Sequence, residues 1–558
     1  MEHVRLLLAI VLTVMVFLLW ELFFAPQRPD QQPEPPEQTE TRQQKQAAGE
    51  KSESGEEAED RESEQRQRED LPDTSFKTVT VETDLYRAEI SEKGAAVRHF
   101  VLKEYRESAG DDAPPRVLVP EENPAGTALV RFASPGMPDA TEASFTTDVD
   151  SDYLEVSGQQ ETLSFYWRSG EDYILEKRYR FDPDSYEIGL SINVINRSDS
   201  QLPADLFVEM TNILPEGGGT FQNFSFQGPF AYIDGDLQEI DTGDIEDKSV
   251  YSGNIGWTGI MDRYFMTTLI PGSPGENEIR LNLEQNQNLI RVAYHQPGDT
   301  IEPGDSREFD YKLFMGPKRM SKLKAFGHEL DRAIDFGFFN VIARPCLWLM
   351  NKIHDNVVSN YGVAIILLTM LVKIIFWPLG NKSYRSMAEM KKLQPLMADI
   401  RKKYKDDKKK MNEEVMRLYK TYKVNPMSGC LPMVVQIPVF IAFYRMLYEA
   451  IELRHAPFML WINDLSSPDR LFRFDIAVPL MAPPYGIPVL TIIMGATMFL
   501  QQKLSPPPGD PSQAKLMMFM PLIFTVIFIN FPAGLVLYWL TNNILSIAQQ
   551  YYVTRKIV

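Results

Sequence analysis

Six apolar stretches set the terms for any fold this chain can adopt. Leu6–Phe24 is the first, about nineteen mostly apolar residues. The others crowd the C-terminal third: Tyr361–Leu379, Leu431–Tyr448, Ile487–Leu500, Leu516–Phe531 and Ala533–Ile547. About twenty apolar residues span a bilayer as a helix, because only there are all backbone groups satisfied internally. Six spans place both termini on the same side of the membrane. The first stretch reads as an uncleaved anchor: a cut after Ala25 would find bulky Phe23 three residues back and Pro26 following.

Between the first and second stretches the chain changes character twice. Residues 26–75, with "PDQQPEPPEQTETRQQKQ" and "GEKSESGEEAEDRESEQRQRED", have almost nothing to bury and read as a disordered tether reaching roughly 40 Å. From residue 76 to about 320, segments such as "KTVTVET", "YILEKRYRF", "YEIGLSINVIN", "LIRVAYH" and "REFDYKLF" alternate apolar and polar residues between Gly, Pro, Asp and Asn. Many short strands over this length predict an all-β sandwich. No nucleophile–base pair or metal cluster stands out in it, so its expected role is binding or scaffolding. Residues 321–358, including "RPCLWLMNKIHDN", take helical spacing but are too polar to span, which predicts an amphipathic helix lying in the interface. Cys346 and Cys430 are read as unpaired thiols, and the six scattered histidines give no metal spacing.

Charge supplies the orientation. The formal net charge of −19 argues against nucleic acid as partner of the whole chain. Yet Lys382–Met427 holds about fourteen Lys and Arg against about six Asp and Glu. By the positive-inside rule this segment is cytoplasmic, as are both termini, which leaves the sandwich outside. The expected layout is 1–25 anchor, 26–75 linker, 76–320 sandwich, 321–358 interfacial helix, 359–380 second span, 381–427 cytoplasmic hairpin and 428–449 third span. A periplasmic loop at 450–486, spans at 487–504, 514–531 and 532–550, a short loop at 505–513 and a tail at 551–558 follow.

Within 381–427, Met387, Met390, Leu393 and Met397 recur at helical spacing, as do Met411, Val415 and Leu418 after a charged turn. Two amphipathic helices would form an antiparallel hairpin. Its apolar positions suit a plain coiled-coil seam or, being rich in methionine, a surface for capturing unfolded apolar segments at Met387, Met390, Met397 and Met411. Its basic face suits ribosomal RNA or anionic lipid.

Lys373 stands inside the second span, about six residues or roughly 9 Å from its cytoplasmic end. A central charge costs about 2.5–3.5 kcal/mol on insertion scales. One reading is a lysine that snorkels to the headgroups. The other takes in Thr369 one turn away, Gln436 in the third span, and Tyr538, Asn542, Asn543 and Ser546 in "YWLTNNILSIAQQ". Polar side chains with no carboxylate inside any span suit a wet, electropositive concavity.

The motifs "YKVNPMSGCLPMVVQIPVFIAFYRMLYEAIELRHAPFMLWINDLSSPD" and "MPLIFTVIFINFPAGLVLYWLTNNI" resemble the YidC/Oxa/Alb family of membrane insertases. "GWTGIMDRYFMTTLIP" and "KLFMGP" are similar to the large periplasmic region of its Gram-negative members. The resemblance implies a five-helix insertase core enclosing a hydrophilic groove, with a positive residue on the second span that is usually arginine and here is Lys373. It implies a substrate-binding groove of Lys373, Thr369, Gln436, Tyr538, Trp539, Asn542, Asn543 and Ser546, with Trp539 where a relative has tyrosine. Implied partners are nascent membrane proteins, the Sec translocon, membrane lipids and, weakly, the ribosome; no cofactor and no enzymatic step are implied. No GxxxxGK[ST] occurs in the chain, so no nucleotide site is expected. Alternative functions on the same residues are a secondary transporter built around Lys373, or a membrane-anchored carbohydrate-binding protein built on the sandwich.

Overall fold

The computed structural model describes residues 76–557 except 111, 135–138, 171, 215–225, 274, 406, 423, 425–430 and 506–510. The anchor and linker expected at 1–75, and Cys430, lie outside the described residues.

Alternation builds the β region. Along Glu187–Asn196 the side chains of Ile188, Leu190, Ile192 and Val194 are buried while Ser191, Asn193 and Ile195 are only partly so, which gives one strand face to the core. A thirteen-stranded sheet forms around this strand, which pairs antiparallel with Tyr173–Phe181 on one side and Ser306–Pro317 on the other. A five-stranded sheet runs in the order Pro115–Val119, Ala96–Arg106, Tyr86–Ser91, Thr78–Glu82 and Tyr153–Glu155. Within the thirteen-stranded sheet the strand Val250–Met261 changes partner along its length: Val250–Asn254 pair with the strand Glu276–Glu284, and Thr258–Met261 with Phe265–Pro271. Gly253 makes the change possible with φ +152, where a Cβ would sit 2.6 Å from Ile233 Cγ2. The expected strands and sandwich are present.

Lys177 ties these sheets together. It sits on the buried face of Tyr173–Phe181 with no exposed surface. Its ammonium donates to the carbonyls of Ala95 (2.7 Å), Gly94 (3.3 Å) and Ala128. Three N–H groups thus meet three carbonyls. Ala95 and Ala128 hold positive φ, at 46° and 60°, and turn their carbonyls toward Lys177, Ala95 O also accepting from Tyr179 Oη at 2.7 Å. Complete burial pushes the lysine pKa well below its ordinary value. Lys177→Met strands carbonyls that cost about 1–3 kcal/mol each when unmatched, so a loss of about 2–3 kcal/mol is expected. Urea unfolding of the full chain, with hydrogen exchange read at Tyr173–Phe181, checks it. Unchanged exchange there would show that the cage contributes nothing.

Nine helices are described after Pro317, with a pair of short strands, Leu471–Phe474 and Tyr485–Ile487, between the sixth and seventh: α1 (Met320–Phe326), α2 (Asn340–Asn356), α3 (Tyr361–Ile375), α4 (Trp377–Lys403), α5 (Lys408–Thr421), α6 (Leu431–Glu449), α7 (Val489–Leu504), α8 (Pro511–Phe528) and α9 (Ala533–Ile557). The region expected as one interfacial helix is α1, two 3₁₀ turns and α2. Phe338, Val341 and Trp348 project outward from its latter half. Cys346 on α2 is half-buried and free, and burial raises its thiol to about 11, which keeps it protonated and unreactive.

Asn360 starts α3 as an N-cap, its side chain accepting from Val363 N at 3.0 Å. The chain then bends by 67° between α3 and α4. Pro378 lies in the first turn of α4, where a missing N–H costs nothing, so the helix restarts after Phe376 rather than at residue 380. Among the described residues no single helix is long and apolar enough to cross a membrane by length and hydropathy. The bent pair α3–α4 passes that test together, and α7 and Met517–Phe528 are shorter apolar helices. α9 packs against α3, α4, α6 and α7, so it is the hub of the bundle. The β region is fastened to α6 by Arg263, whose Nε donates to Tyr448 O at 2.7 Å while its guanidinium lies over the Tyr264 and Tyr448 rings. A cation at the C-terminal end of a helix also suits its dipole.

Candidate functional site

The hub helix α9 carries a polar stripe. Asn542, Ser546 and Gln549 follow at i, i+4 and i+7, hence on one helix face, and that face is turned toward α3 and the start of α4. Lys373 Nζ donates to Asn542 Oδ1 at 3.0 Å and to Ser546 Oγ at 2.7 Å. From α6, Gln436 Nε2 donates to the same Asn542 Oδ1 at 2.7 Å. The Ser546 hydroxyl in turn donates to Asn542 O at 2.7 Å. Three helices therefore meet at one amide.

Burial is graded across this cluster. Ser546 is buried, whereas Lys373, Gln436 and Asn542 are half-buried. An ammonium has three N–H donors. Among the described residues two of them have protein acceptors, both neutral, and the third is left for solvent or a bound polar group. The five C-terminal apolar stretches contain no Asp or Glu, so the positive charge is not cancelled within them.

The remaining candidates fall into two groups. Tyr538 is buried and stacked on Phe443 with ring centroids 4.6 Å apart, and Trp539 meets Phe440 and Phe528 edge-on at 4.5 and 4.9 Å. They form an aromatic wall joining α6, α8 and α9 beside the polar cluster. Thr369 and Asn543 make their hydrogen bonds elsewhere. The Thr369 hydroxyl donates to Ile365 O of its own helix at 2.7 Å, and Asn543 donates to Thr497 Oγ1 of α7 at 3.2 Å. On α4 and α5, Met387, Met390 and Met411 are half-buried. Met397 is buried, with Tyr419 Oη donating to its Sδ at 3.1 Å, so it forms the seam between the two helices.

These contacts belong to a region with clear relatives. Residues 353–558 match the family model described as 60Kd inner membrane protein, and 78–349 match the one described as YidC periplasmic domain. A protein named membrane protein insertase YidC from Syntrophus aciditrophicus is 42% identical over 480 residues, covering 86% of this chain and 85% of its own length. One of the same name from Pelobacter propionicus is 39% identical over 560 residues, 99% of each chain.

The chain belongs to the YidC family.

The family read from the sequence motifs is thus the family that the comparisons return. Within this YidC chain, two polar partners of α9 escaped the motif reading. Asn381 on α4 shares Gln549 with the carbonyl of Trp377, both at 3.0 Å, and Thr497 receives Asn543. Gly380 keeps that approach open, since a Cβ there would lie 2.8 Å from Gln549 Nε2. The i, i+4, i+7 spacing on α9 already separated Asn542 from Asn543 by a hundred-degree rotation, roughly, and was the usable signal.

Proposed function

We propose that this protein is an inner-membrane insertase that moves short polar flanks of nascent membrane proteins into a groove lined by Lys373, Gln436, Asn542 and Ser546. The observation that carries the reading is the shared amide of Asn542, where a half-buried ammonium with a spare donor meets polar groups from three helices. Such groups replace bulk hydration for an entering polar flank, so the hydrocarbon still to be crossed is thinner. Partition of the following apolar segment into lipid supplies the driving force. A membrane potential adds about 2.3 kcal/mol per charge per 100 mV for acidic flanks. No bond is made or broken.

In this reading the chain spans the membrane six times with both termini in the cytoplasm, and the β region stands in the periplasm. The basic α4–α5 segment is a cytoplasmic hairpin whose half-buried Met387, Met390 and Met411 receive apolar segments, while the buried Met397 holds the pair together. Its positive face supports contact with the ribosome or anionic lipid, and the family supports work alongside the Sec translocon. The test reconstitutes the purified full chain in liposomes with a short single-span substrate. Insertion above that of empty liposomes is expected, and equal insertion in both would end the reading.

A further inference from the structure

The segment between α6 and α7 crosses one end of the bundle and is fastened to almost every helix there. Asn360, at the start of α3, donates to Phe458 O at 3.0 Å. The carboxylate of Asp469 accepts from Trp461 Nε1 and from the backbone N of Leu490 on α7, both at 2.5 Å. Asn530, in the turn before α9, accepts from Ala482 N at 2.8 Å and donates to Leu480 O at 2.9 Å. Asp464 bonds Ser466, Ser467 and His455 N, and Arg470 is buried against the carbonyls of Pro484 and Ile529. The polar groups of this loop are largely spent on holding its own shape.

Its apolar groups are presented the opposite way. Leu460 is 87% exposed, Phe472 74% and Leu480 77%. All three hold left-handed backbone, with φ of 57°, 50° and 65°. For a large side chain with a Cβ that conformation is sterically costly and persists only where the surroundings impose it. Three large apolar residues, two on turns and one in the short strand Leu471–Phe474, are thus kept in a disfavoured conformation in a segment tied to the same end of the bundle. Exposed apolar residues recur along the chain from Phe472 through Ile476 and Leu480 to Ile487, Ile492 and Ile493 at the entry to α7.

We infer that Leu460, Phe472 and Leu480 form a rigid apolar foot that enters the lipid leaflet at this end of the bundle, an inference that rests on the membrane reading of the helices. Lipid is the occupant because the exposed apolar residues lead along the chain through Ile487 into the exposed Ile492 and Ile493 of the apolar helix α7. The exposed charges beside the foot, Arg473 and Asp475, stand where a zwitterionic headgroup layer matches both signs. Side chains of this kind settle about 5–10 Å into the headgroup and acyl boundary. The extracytoplasmic loop is then a lipid-seated element and not a solvated connection.

The test uses the full chain with Cys346→Ser and Cys430→Ser, reconstituted in phosphatidylethanolamine and phosphatidylglycerol vesicles. A bimane label is placed singly through Leu460→Cys, Phe472→Cys or Leu480→Cys. Ile493→Cys reports a helix position and Gln159→Cys an exposed turn of the β region. Quenching by a shallow lipid-borne nitroxide is expected to be at least about twice that of the Gln159→Cys label, with protection from aqueous iodide. Iodide quenching equal to the Gln159→Cys label overturns the foot. So does protection from both quenchers, which assigns the surface to a second copy or another protein. If the Ile493→Cys label also escapes the nitroxide, the membrane reading itself fails, so the two failures are distinguishable.

Discussion

Lys373→Ala is expected to lower insertion of single-span substrates with acidic flanks by about tenfold or more, while Lys373→Arg retains most activity. The sign follows from what each variant leaves behind. Hydrogen bonds to a charged group contribute about 1.5–3 kcal/mol, and about 1.4 kcal/mol corresponds to a factor of ten. Alanine removes the spare donor and the charge together. It does little to the bundle, because Asn542 Oδ1 keeps Gln436 and Ser546 keeps Asn542 O. Arginine restores a charge and offers more donors in a planar fork. Substrates with uncharged flanks should lose less. Insertion assays in proteoliposomes across a series of flank charges measure this. Full activity of the alanine variant on acidic flanks would leave a snorkelling lysine as the better account.

Arg470→Ala is expected to open the end of the bundle beneath the foot. The Arg470 guanidinium donates to the carbonyls of Pro484, Asp469 and Ile529 at 2.8–2.9 Å and to Asn530 Oδ1 at 3.2 Å, and so joins the α6–α7 loop to the turn before α9. Each stranded buried acceptor costs about 1–3 kcal/mol. Hydrogen exchange across 480–490 and 529–536 should therefore rise on the order of a hundredfold, while the β region is unchanged. Lysine recovers part of the protection, since one ammonium cannot reproduce a fork that faces five acceptors, Ala482 O at 3.4 Å among them. Exchange that stays at the wild-type rate in the alanine variant would mean that the loop is held by other contacts.

Both predictions concern side chains whose importance was unequally visible in the linear sequence. Lys373 was conspicuous, because a charge amid apolar residues is rare enough to be noticed without a fold. Arg470 was not. It lies in "SSPDRLFRFD", a stretch whose composition reads as a solvated connection, and only folding delivers the carbonyls of residues 482, 484 and 529 to it. Lys177 was hidden for the same reason. In "YILEKRYRF" the charge pattern suggests an outward face, yet the strand turns this lysine inward to carbonyls from two remote turns.

The strands of the β region, the helices after it and the polar face of α9 were legible because each is written in local periodicity, two residues for a strand and about 3.6 for a helix. Family membership was legible too, since long motifs survive in order. Which polar side chains would meet was not. Asn542 and Asn543 are neighbours in the chain, yet a rotation of about 100° sends one to Lys373 and the other to Thr497. Periodicity determines the face of each helix by itself. The rotation and crossing of one helix against another, set by packing over the whole bundle, decided which faces became a site.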